Sequence, residues 1–143
     1  MNFVIVYSSR YGNGKKCVDV VTRQLKTKGQ GVQVINAQDA GPAELPPADI
    51  YIFSAASEKF SLQTWMKKYL KKVPEMPGQK YALISTHAMD RTIGLNKMDK
   101  ILTKKKMVKV GSIDFKVEGE VNKGLGLPEG YEAKLKSWAN GLL

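Results

Sequence analysis

Hydrophobic residues follow two different periods along the 143-residue chain. Three uninterrupted apolar runs, at residues 3–7, 50–54 and 81–86, are typical of strands that are buried on both faces. Residues 32–36 and 107–118 instead alternate apolar with polar positions, as half-buried strands do. The alternation in the second of these segments shifts phase part-way along, which indicates a bulge or bend. The pattern therefore predicts five strands.

Amphipathic helices are predicted between these strands, because apolar residues recur there at spacings of three and four. Asn13 and Ser61 are of the residue types that cap helix N-termini, so we expect them to cap the first two helices. Pro128 suits the first turn of the last helix, where its missing N–H costs nothing. The predicted helices cover residues 14–28, 62–73, 93–105 and 128–143.

Regular alternation of strands and helices predicts an α/β fold: a three-layer, doubly wound, five-stranded parallel sheet with helices on both faces. The continuously apolar first, third and fourth strands should be central and the alternating second and fifth strands should be edges, which gives the order 2-1-3-4-5. A ligand is then expected at the carboxyl ends of the first and third strands. The loops at that edge are residues 8–14, 54–60 and 87–91. We expect residues 1–143 to form a single domain.

The first of these loops has the composition of an anion site. It contains two serines and two glycines, and it leads into a helix N-terminus, whose free N–H groups favour phosphate. Lys15 and Lys16 lie in the first helical turn, where the helix dipole disfavours cations unless an anion is near. A Walker A loop and a G-x-G-x-x-G motif are both absent, and Cys17 falls in the helix, which excludes a cysteine-phosphatase loop.

Composition and net charge limit the cellular location and the partners that we expect for the protein. Its single cysteine permits no internal disulfide and has no partners for a metal site, so we expect a reducing, cytoplasmic location. The sequence shows neither a membrane-spanning run nor a signal-peptide pattern. The net charge of +10 favours acidic partners, with lysines clustered at residues 67–72 and 104–109, although solvated helix faces are the simpler explanation of such clusters. We expect a monomer.

These features together resemble the flavodoxin family, in its short-chain form. Residues 4–13, Val-Ile-Val-Tyr-Ser-Ser-Arg-Tyr-Gly-Asn, are similar to the strand and phosphate loop of flavodoxins, Ser/Thr-x-Thr-Gly-x-Thr. The resemblance continues through residues 48–54 and ends with Ser-Trp-Ala at residues 137–139. Receiver domains share the strand order, but they need an acidic cluster where this chain has Tyr7 and Ser8.

The resemblance implies a non-covalently bound FMN and single-electron transfer. Residues around the FMN phosphate would be Ser9, Arg10, Tyr11, Gly12, Asn13 and Gly14. Residues flanking the isoalloxazine would be Ala55, Ala56 and Ser57 with Phe60 on one side, and His87, Ala88, Met89 and Asp90 on the other. The chain departs from the family in having Tyr11 and Gly14 at threonine positions of the motif, and in its basic charge, which points to an acidic redox partner.

Three functions fit the sequence. The first is an FMN-binding electron carrier. The second is an FMN-dependent oxidoreductase of the quinone-reductase or protoporphyrinogen-oxidase type, although no convincing acid/base pair is visible and His87 could equally be an exposed residue at a strand end. The third is a flavodoxin-fold module that has lost FMN and binds an acidic protein or nucleic acid through its lysines, although no nucleic-acid motif is present.

Overall fold

The computed structural model describes residues 1–39, 41, 45–58, 61–89 and 92–143. The strands are β1 Asn2–Tyr7, β2 Gly31–Asn36, β3 Ile50–Glu58, β4 Ser61–Leu62, β5 Lys80–His87 and β6 Val108–Lys116. The helices are α1 Asn13–Thr27, α2 Thr64–Lys72, α3 Ile93–Lys104 and α4 Tyr131–Gly141, with a short 3-10 helix at Val121–Lys123. Among the described helices, none is both long and apolar enough to cross a lipid bilayer.

Five strands form a parallel sheet in the order β2-β1-β3-β5-β6, which confirms the predicted doubly wound topology. The predicted edge strands are β2 and β6, and the predicted central strands are β1, β3 and β5. A sixth strand, the two-residue β4, was not predicted. It pairs antiparallel with the end of β3.

Apolar runs in the central strands exist because the sheet is covered on both faces. Successive side chains of a strand point to opposite faces, so Ile52 packs with α1 and α4, whereas its neighbour Phe53 packs with α2 and α3. Both side chains are fully buried. A strand placed between two helix layers has no solvent-facing side, and its sequence therefore loses the alternation seen in β2 and β6.

A bulge in β6 accounts for the predicted phase shift. Tyr81 of β5 pairs with Lys109, but the next residue, Ala82, pairs with Gly111, so Val110 is left over. A Cβ atom at Gly111 would lie 3.2 Å from Leu142 Cδ2. The glycine therefore lets α4 pack closely over the bulged strand.

Helix N-termini were predicted wrongly at three places. α1 is capped by Gly12, whose φ of 97° is left-handed, and Asn13 is the first helical residue instead of the cap. Ser61 belongs to β4, so α2 is capped by Gln63. Pro128 precedes the first residue of α4 rather than lying in its first turn. In each case backbone pairing or a left-handed glycine, rather than a side-chain cap, determines where the helix begins.

β3 is longer than the sequence indicated. It continues past Ser54 to Glu58, pairing Ala56 with Thr86 of β5 before the chain turns into β4. The N-terminus of α3 packs against this extension, because the Gly94 N–H donates to Ser57 Oγ at 2.7 Å. A stretch predicted to be a loop is thus held rigidly by a neighbouring strand and a helix.

Gly94→Ala tests this contact. The new Cβ would lie 2.7 Å from Ser57 Oγ and 3.0 Å from Ser57 Cα. We expect the free energy of unfolding to fall by about 1–3 kcal/mol from overpacking, which outweighs the gain of roughly 1 kcal/mol in helix propensity. Urea unfolding followed by circular dichroism measures the difference. Gly141→Ala is the control, because its Cβ meets nothing within 4 Å; equal stability of the two variants would contradict the contact.

Candidate functional site

A cavity of about 510 Å³ opens at the carboxyl ends of β1, β3 and β5. This is where a doubly wound sheet binds its ligand, since the chain leaves β1 and β3 toward opposite faces there. Its volume lies within the range of roughly 300–1,000 Å³ that small-molecule sites occupy. Predicted site residues that line it are Ser9, Arg10, Tyr11, Asn13, Gly14, Ala56, Ser57, His87 and Ala88.

Not every predicted site residue lies on the cavity wall. Gly12, Ala55 and Met89 are not among the lining residues; Ala55 is buried within the sheet, and Met89 is 59% exposed. Phe60 and Asp90 lie outside the described residues. Ser8 and Glu58 also line the cavity and belong to the loops expected there, although they were not named as site residues. Lining residues outside those loops are Gln63, Thr86, Val117, Val121 and Asn122.

The loop between β1 and α1 presents backbone donors to the cavity. Ser9 Oγ accepts hydrogen bonds from the N–H groups of Gly12 at 3.1 Å and Lys15 at 3.4 Å. The N–H groups of Asn13 and Gly14 begin the helix and donate to no acceptor within the described residues. The loop therefore combines free donors with the positive end of the α1 dipole, which is the chemistry of an anion site.

Both lysines of the first helical turn are engaged within the protein. The Lys15 ammonium pairs with Asp19, and this hydrogen bond raises the pKa of Lys15. The Lys16 ammonium donates to the carbonyl of Gly124. Neither side chain lines the cavity, so any anion in the loop would be held by backbone N–H groups rather than by these charges.

The side chain of Asn13 has a structural role. It is 5% exposed, and its Nδ2 donates to the Val121 carbonyl at 3.0 Å while its Oδ1 accepts from the Gly126 N–H at 3.1 Å. Gly124 lies so close to the loop that a Cβ there would be 2.6 Å from the Tyr11 carbonyl oxygen. Asn13 thus fixes the segment after β6 against the β1–α1 loop, and only its backbone N–H is left for a ligand.

Gln63 is the most informative residue that the sequence did not reveal. Its side chain is fully buried on the cavity wall, where Oε1 accepts a 2.6 Å hydrogen bond from Ser8 Oγ. Its buried Nε2 has no hydrogen-bond partner among the residues that the structure describes. A buried donor without an acceptor costs about 1–3 kcal/mol, so this amide is a donor beside the cavity that an acceptor would stabilise.

A bidentate ion pair forms one side of the cavity. Arg10 Nε lies 2.8 Å from Glu58 Oε2, and Nη2 donates to Oε1 at 3.1 Å. The hydrogen bond to Glu58 raises the pKa of the Arg10 guanidinium, whose Cζ also lies 4.7 Å from the centre of the Trp65 ring. The pairing cancels the positive charge that Arg10 would otherwise give the cavity.

A histidine and an aspartate meet at the other side. His87 ends β5 and lines the cavity, and its Nδ1 lies 2.6 Å from Oδ2 of Asp114 on β6. Only 12% of the His87 side chain and 14% of the Asp114 side chain are exposed. His87 is therefore not the exposed strand-end residue that the sequence left open. It lies close to a carboxylate that the sequence did not place there, although the contact does not have hydrogen-bond geometry.

The single cysteine of the chain does not give the cavity a reactive thiol. Cys17 is fully buried on the core side of α1, away from the cavity wall, and burial raises its pKa to about 12. Thiolate formation near neutral pH is thereby suppressed, so Cys17 is not a nucleophile. The groups that remain are backbone donors, the Gln63 amide and the His87–Asp114 pair.

Solved structures of flavodoxins match nearly the whole chain. A flavodoxin of Streptococcus pneumoniae TIGR4 is 19% identical, with a TM-score of 0.76 over 99% of this chain and 97% of that chain. The two-electron reduced flavodoxin of Megasphaera elsdenii is 15% identical, with a TM-score of 0.77 over 99% of each chain. Rubredoxin oxygen:oxidoreductase of Desulfovibrio gigas is 12% identical, with a TM-score of 0.82 over 98% of this chain and 34% of that one.

Sequence comparison adds nothing to this structural similarity, since no protein-family model and no curated protein matches the chain. At identities below one fifth, the shared feature is the architecture: one parallel sheet in the same order, covered by helices on both faces. The resemblance read from the β1–α1 loop and the strand order is thereby confirmed at the level of the fold. The chain has the flavodoxin-like α/β fold.

Proposed function

We propose that the protein is an FMN-binding electron carrier. The observation that carries this proposal is a set of donors around one cavity that have no acceptor among the described residues, namely the buried Nε2 of Gln63 and the N–H groups of Asn13 and Gly14. Unpaired donors are costly in a folded protein, and a ligand rich in acceptor oxygens would remove that cost. FMN is such a ligand, because it carries a phosphate, a ribityl chain and ring carbonyls.

The phosphate would be held by the β1–α1 loop. The free N–H groups of Asn13 and Gly14 and the hydroxyl of Ser9 are the donors there, and the α1 dipole adds favourable electrostatics. Tyr11 and Gly14 replace threonines of the family motif, so backbone donors replace two side-chain hydroxyls. This substitution is compatible with phosphate binding, since N–H groups at a helix N-terminus bind anions without side-chain help.

The ring system would lie between the two other predicted loops. Ala56 and Ser57 form one wall, while His87 and Ala88 form the other, and the described residues of these walls include no large aromatic side chain. Bound FMN would supply the one-electron chemistry. The chain would supply the position of the ring, the exclusion of water from one side of it and a nearly neutral wall at Arg10 and Glu58.

We further propose a cytoplasmic monomer. The only cysteine, Cys17, is fully buried and has a raised pKa, so it offers no route to an intermolecular disulfide. A chain without disulfides fits a reducing compartment. Size-exclusion chromatography with light scattering tests the oligomeric state.

Gln63→Leu tests the role of the unpaired amide. We expect the FMN-binding protein to show a dissociation constant below about 1 µM by quenching of flavin fluorescence. Loss of one hydrogen bond to the ligand should weaken the affinity of the variant about tenfold, or roughly 1.4 kcal/mol. Gln33→Leu, on the exposed part of β2, is the matched control and should bind FMN as the wild type does.

Two results would contradict the proposal. Absence of quenching by wild-type protein at tens of micromolar FMN would indicate a module that has lost its cofactor. Equal affinities of the Gln63 variant, the control and the wild type would show that the amide does not contact the ligand.

A second candidate function is favoured by the His87–Asp114 pair. Reduction of a quinone consumes two electrons and two protons, and an imidazole on the cavity wall beside a carboxylate is a group that can deliver a proton. Two electrons and one proton would come from the reduced cofactor, and the His87 ring would provide the second proton. This is the oxidoreductase alternative, to which the structure adds a cavity-lining histidine beside a carboxylate.

His87→Gln and Asp114→Asn test the second function. If it holds, reoxidation of the reduced, FMN-loaded protein by 1,4-benzoquinone should slow at least about tenfold in each variant, within the range that general acid catalysis contributes. FMN affinity, measured by the same fluorescence titration, should change little. Wild-type protein that is not reoxidised by benzoquinone, or variants as fast as wild type, would exclude this function.

A further inference from the structure

Positive charge is concentrated on one layer of the molecule. Helices α2 and α3 lie side by side on the same face of the sheet, since Met66 and Leu70 share a buried cluster with Met98 and Leu102. The two helices are also joined at their ends, because the Lys105 ammonium donates to the carbonyls of Lys71 and Val73. Their solvent-facing lysines are Lys67, Lys68, Lys71, Lys72, Lys97, Lys100 and Lys104, which we call the lysine face.

The two helices of the lysine face carry almost no acidic residues. α2 contains no acidic residue, and α3 contains only Asp99. Asp99 is turned to other partners, accepting from the Tyr81 hydroxyl and pairing with Lys109 at 3.1 Å. Within the described residues, none of the seven ammonium groups of the lysine face has a carboxylate partner.

Lysines from the two helices act on one another. The pKa of Lys97 on α3 is lowered chiefly by the charge of Lys67 on α2, with smaller effects from desolvation and from Lys100, Lys71 and Lys104. Within the described residues, some other cations pair with carboxylates, as Arg10 does with Glu58 and Lys15 with Asp19, whereas Arg23, Lys134 and Lys136 on α1 and α4 have no such partner. The lysine face differs in its density of like charge, since seven of the 23 lysines and arginines of this chain lie on two adjacent helices.

A groove connects this face to the candidate FMN cavity. Its volume is about 360 Å³, and it is lined by Ser61, Thr64 and three lysines of α2 together with Arg10 and Glu58. Arg10 and Glu58 also line the candidate FMN cavity. A macromolecule seated on the lysine face would therefore lie next to the opening through which electrons would enter or leave.

We infer that the lysine face, with the groove beside Arg10, is the docking surface for an acidic redox protein that exchanges electrons with the cofactor in the adjoining cavity. The inference rests on the proposed FMN-binding function. Complementary charge raises association rates and orients the partner without requiring a large apolar interface. Nucleic acid suits the surface less well, because the nearby aromatic ring, that of Trp65, is covered by Arg10 and offers no free stacking platform.

The experiment uses the FMN-loaded protein and, as a probe, a plant-type [2Fe–2S] ferredoxin with an acidic surface. Stopped-flow absorbance would follow transfer of one electron from the reduced ferredoxin to the cofactor at ionic strengths from about 10 to 300 mM, over which the Debye length shortens from about 30 Å to less than 10 Å. The test variant is Lys67→Glu/Lys71→Glu. The control is Lys134→Glu/Lys136→Glu on α4, which changes the net charge equally on the opposite face of the sheet.

The bimolecular rate at low ionic strength should fall at least about tenfold in the lysine-face variant and by less than about threefold in the control, because steering depends on local charge. The wild-type rate should decrease with salt, and the variant should lose most of that dependence. Similar rates for the two double variants would overturn the inference.

Failure of the docking surface can be separated from failure of the FMN site. The fluorescence titration reports FMN binding alone, and anisotropy of a labelled ferredoxin reports docking whether or not FMN is present. If FMN does not bind but ferredoxin docks through the lysine face only, the surface stands as an acidic-protein site, and its redox role is overturned. If a DNA duplex binds more tightly than ferredoxin and is released by the same substitutions, the face is a nucleic-acid surface, and the inference is wrong.

Discussion

Burial of both faces of the central strands is the constraint on which this structure depends. β1, β3 and β5 can be apolar throughout only if helices cover the sheet on each side, and right-handed connections then place every turn from strand to helix at one edge. Chain segments that are far apart in sequence, at residues 8–14, at residues 56–58 with residue 63, and at residues 86–88, are thereby brought around one cavity. The site is a consequence of how the core is covered, since no single loop builds it.

Much of this architecture could be predicted from the sequence, because the spacing of hydrophobic residues along a strand depends directly on which of its faces are buried. Uninterrupted runs identified the central strands, alternation identified the edges, and the order followed. Helix N-termini were less predictable, because a left-handed glycine at Gly12 and the small strand around Ser61 determine where helices begin. Such features depend on backbone pairing that residue type does not encode.

The sequence predicted which loops surround the site. It did not predict the hydrogen bonds and ion pairs that residues of the site make with partners far away in the sequence. Asn13 bonds the Val121 carbonyl and the Gly126 N–H, partners more than one hundred residues away, and Gln63 becomes buried only because β4 folds back onto β3. The His87–Asp114 pair depends on the bulge at Val110. Without that extra residue the register of β6 would slip by one position, and a slip of one residue turns side chains to the other face of a sheet.

Charged residues are arranged differently around the candidate cofactor cavity and on the lysine face. Cations near the cavity are paired or turned away, which leaves backbone donors to hold an anionic cofactor. The lysines of α2 and α3 face solvent and have no carboxylate partner in the described part of the chain. A protein organised in this way can separate the task of binding its cofactor from that of attracting its partner. Substitutions on the lysine face should therefore affect association with a partner without changing the cofactor site.

The central claim is that FMN binds with its phosphate in the β1–α1 loop. The most direct measurement is a ¹⁵N–¹H correlation spectrum of the protein titrated with FMN and, separately, with riboflavin, which lacks the phosphate. Binding as proposed shifts the amide resonances of Asn13 and Gly14 strongly with FMN and much less with riboflavin, while those of α4 stay in place. Unchanged Asn13 and Gly14 resonances at saturating FMN, or equal shifts with both flavins, would contradict the account.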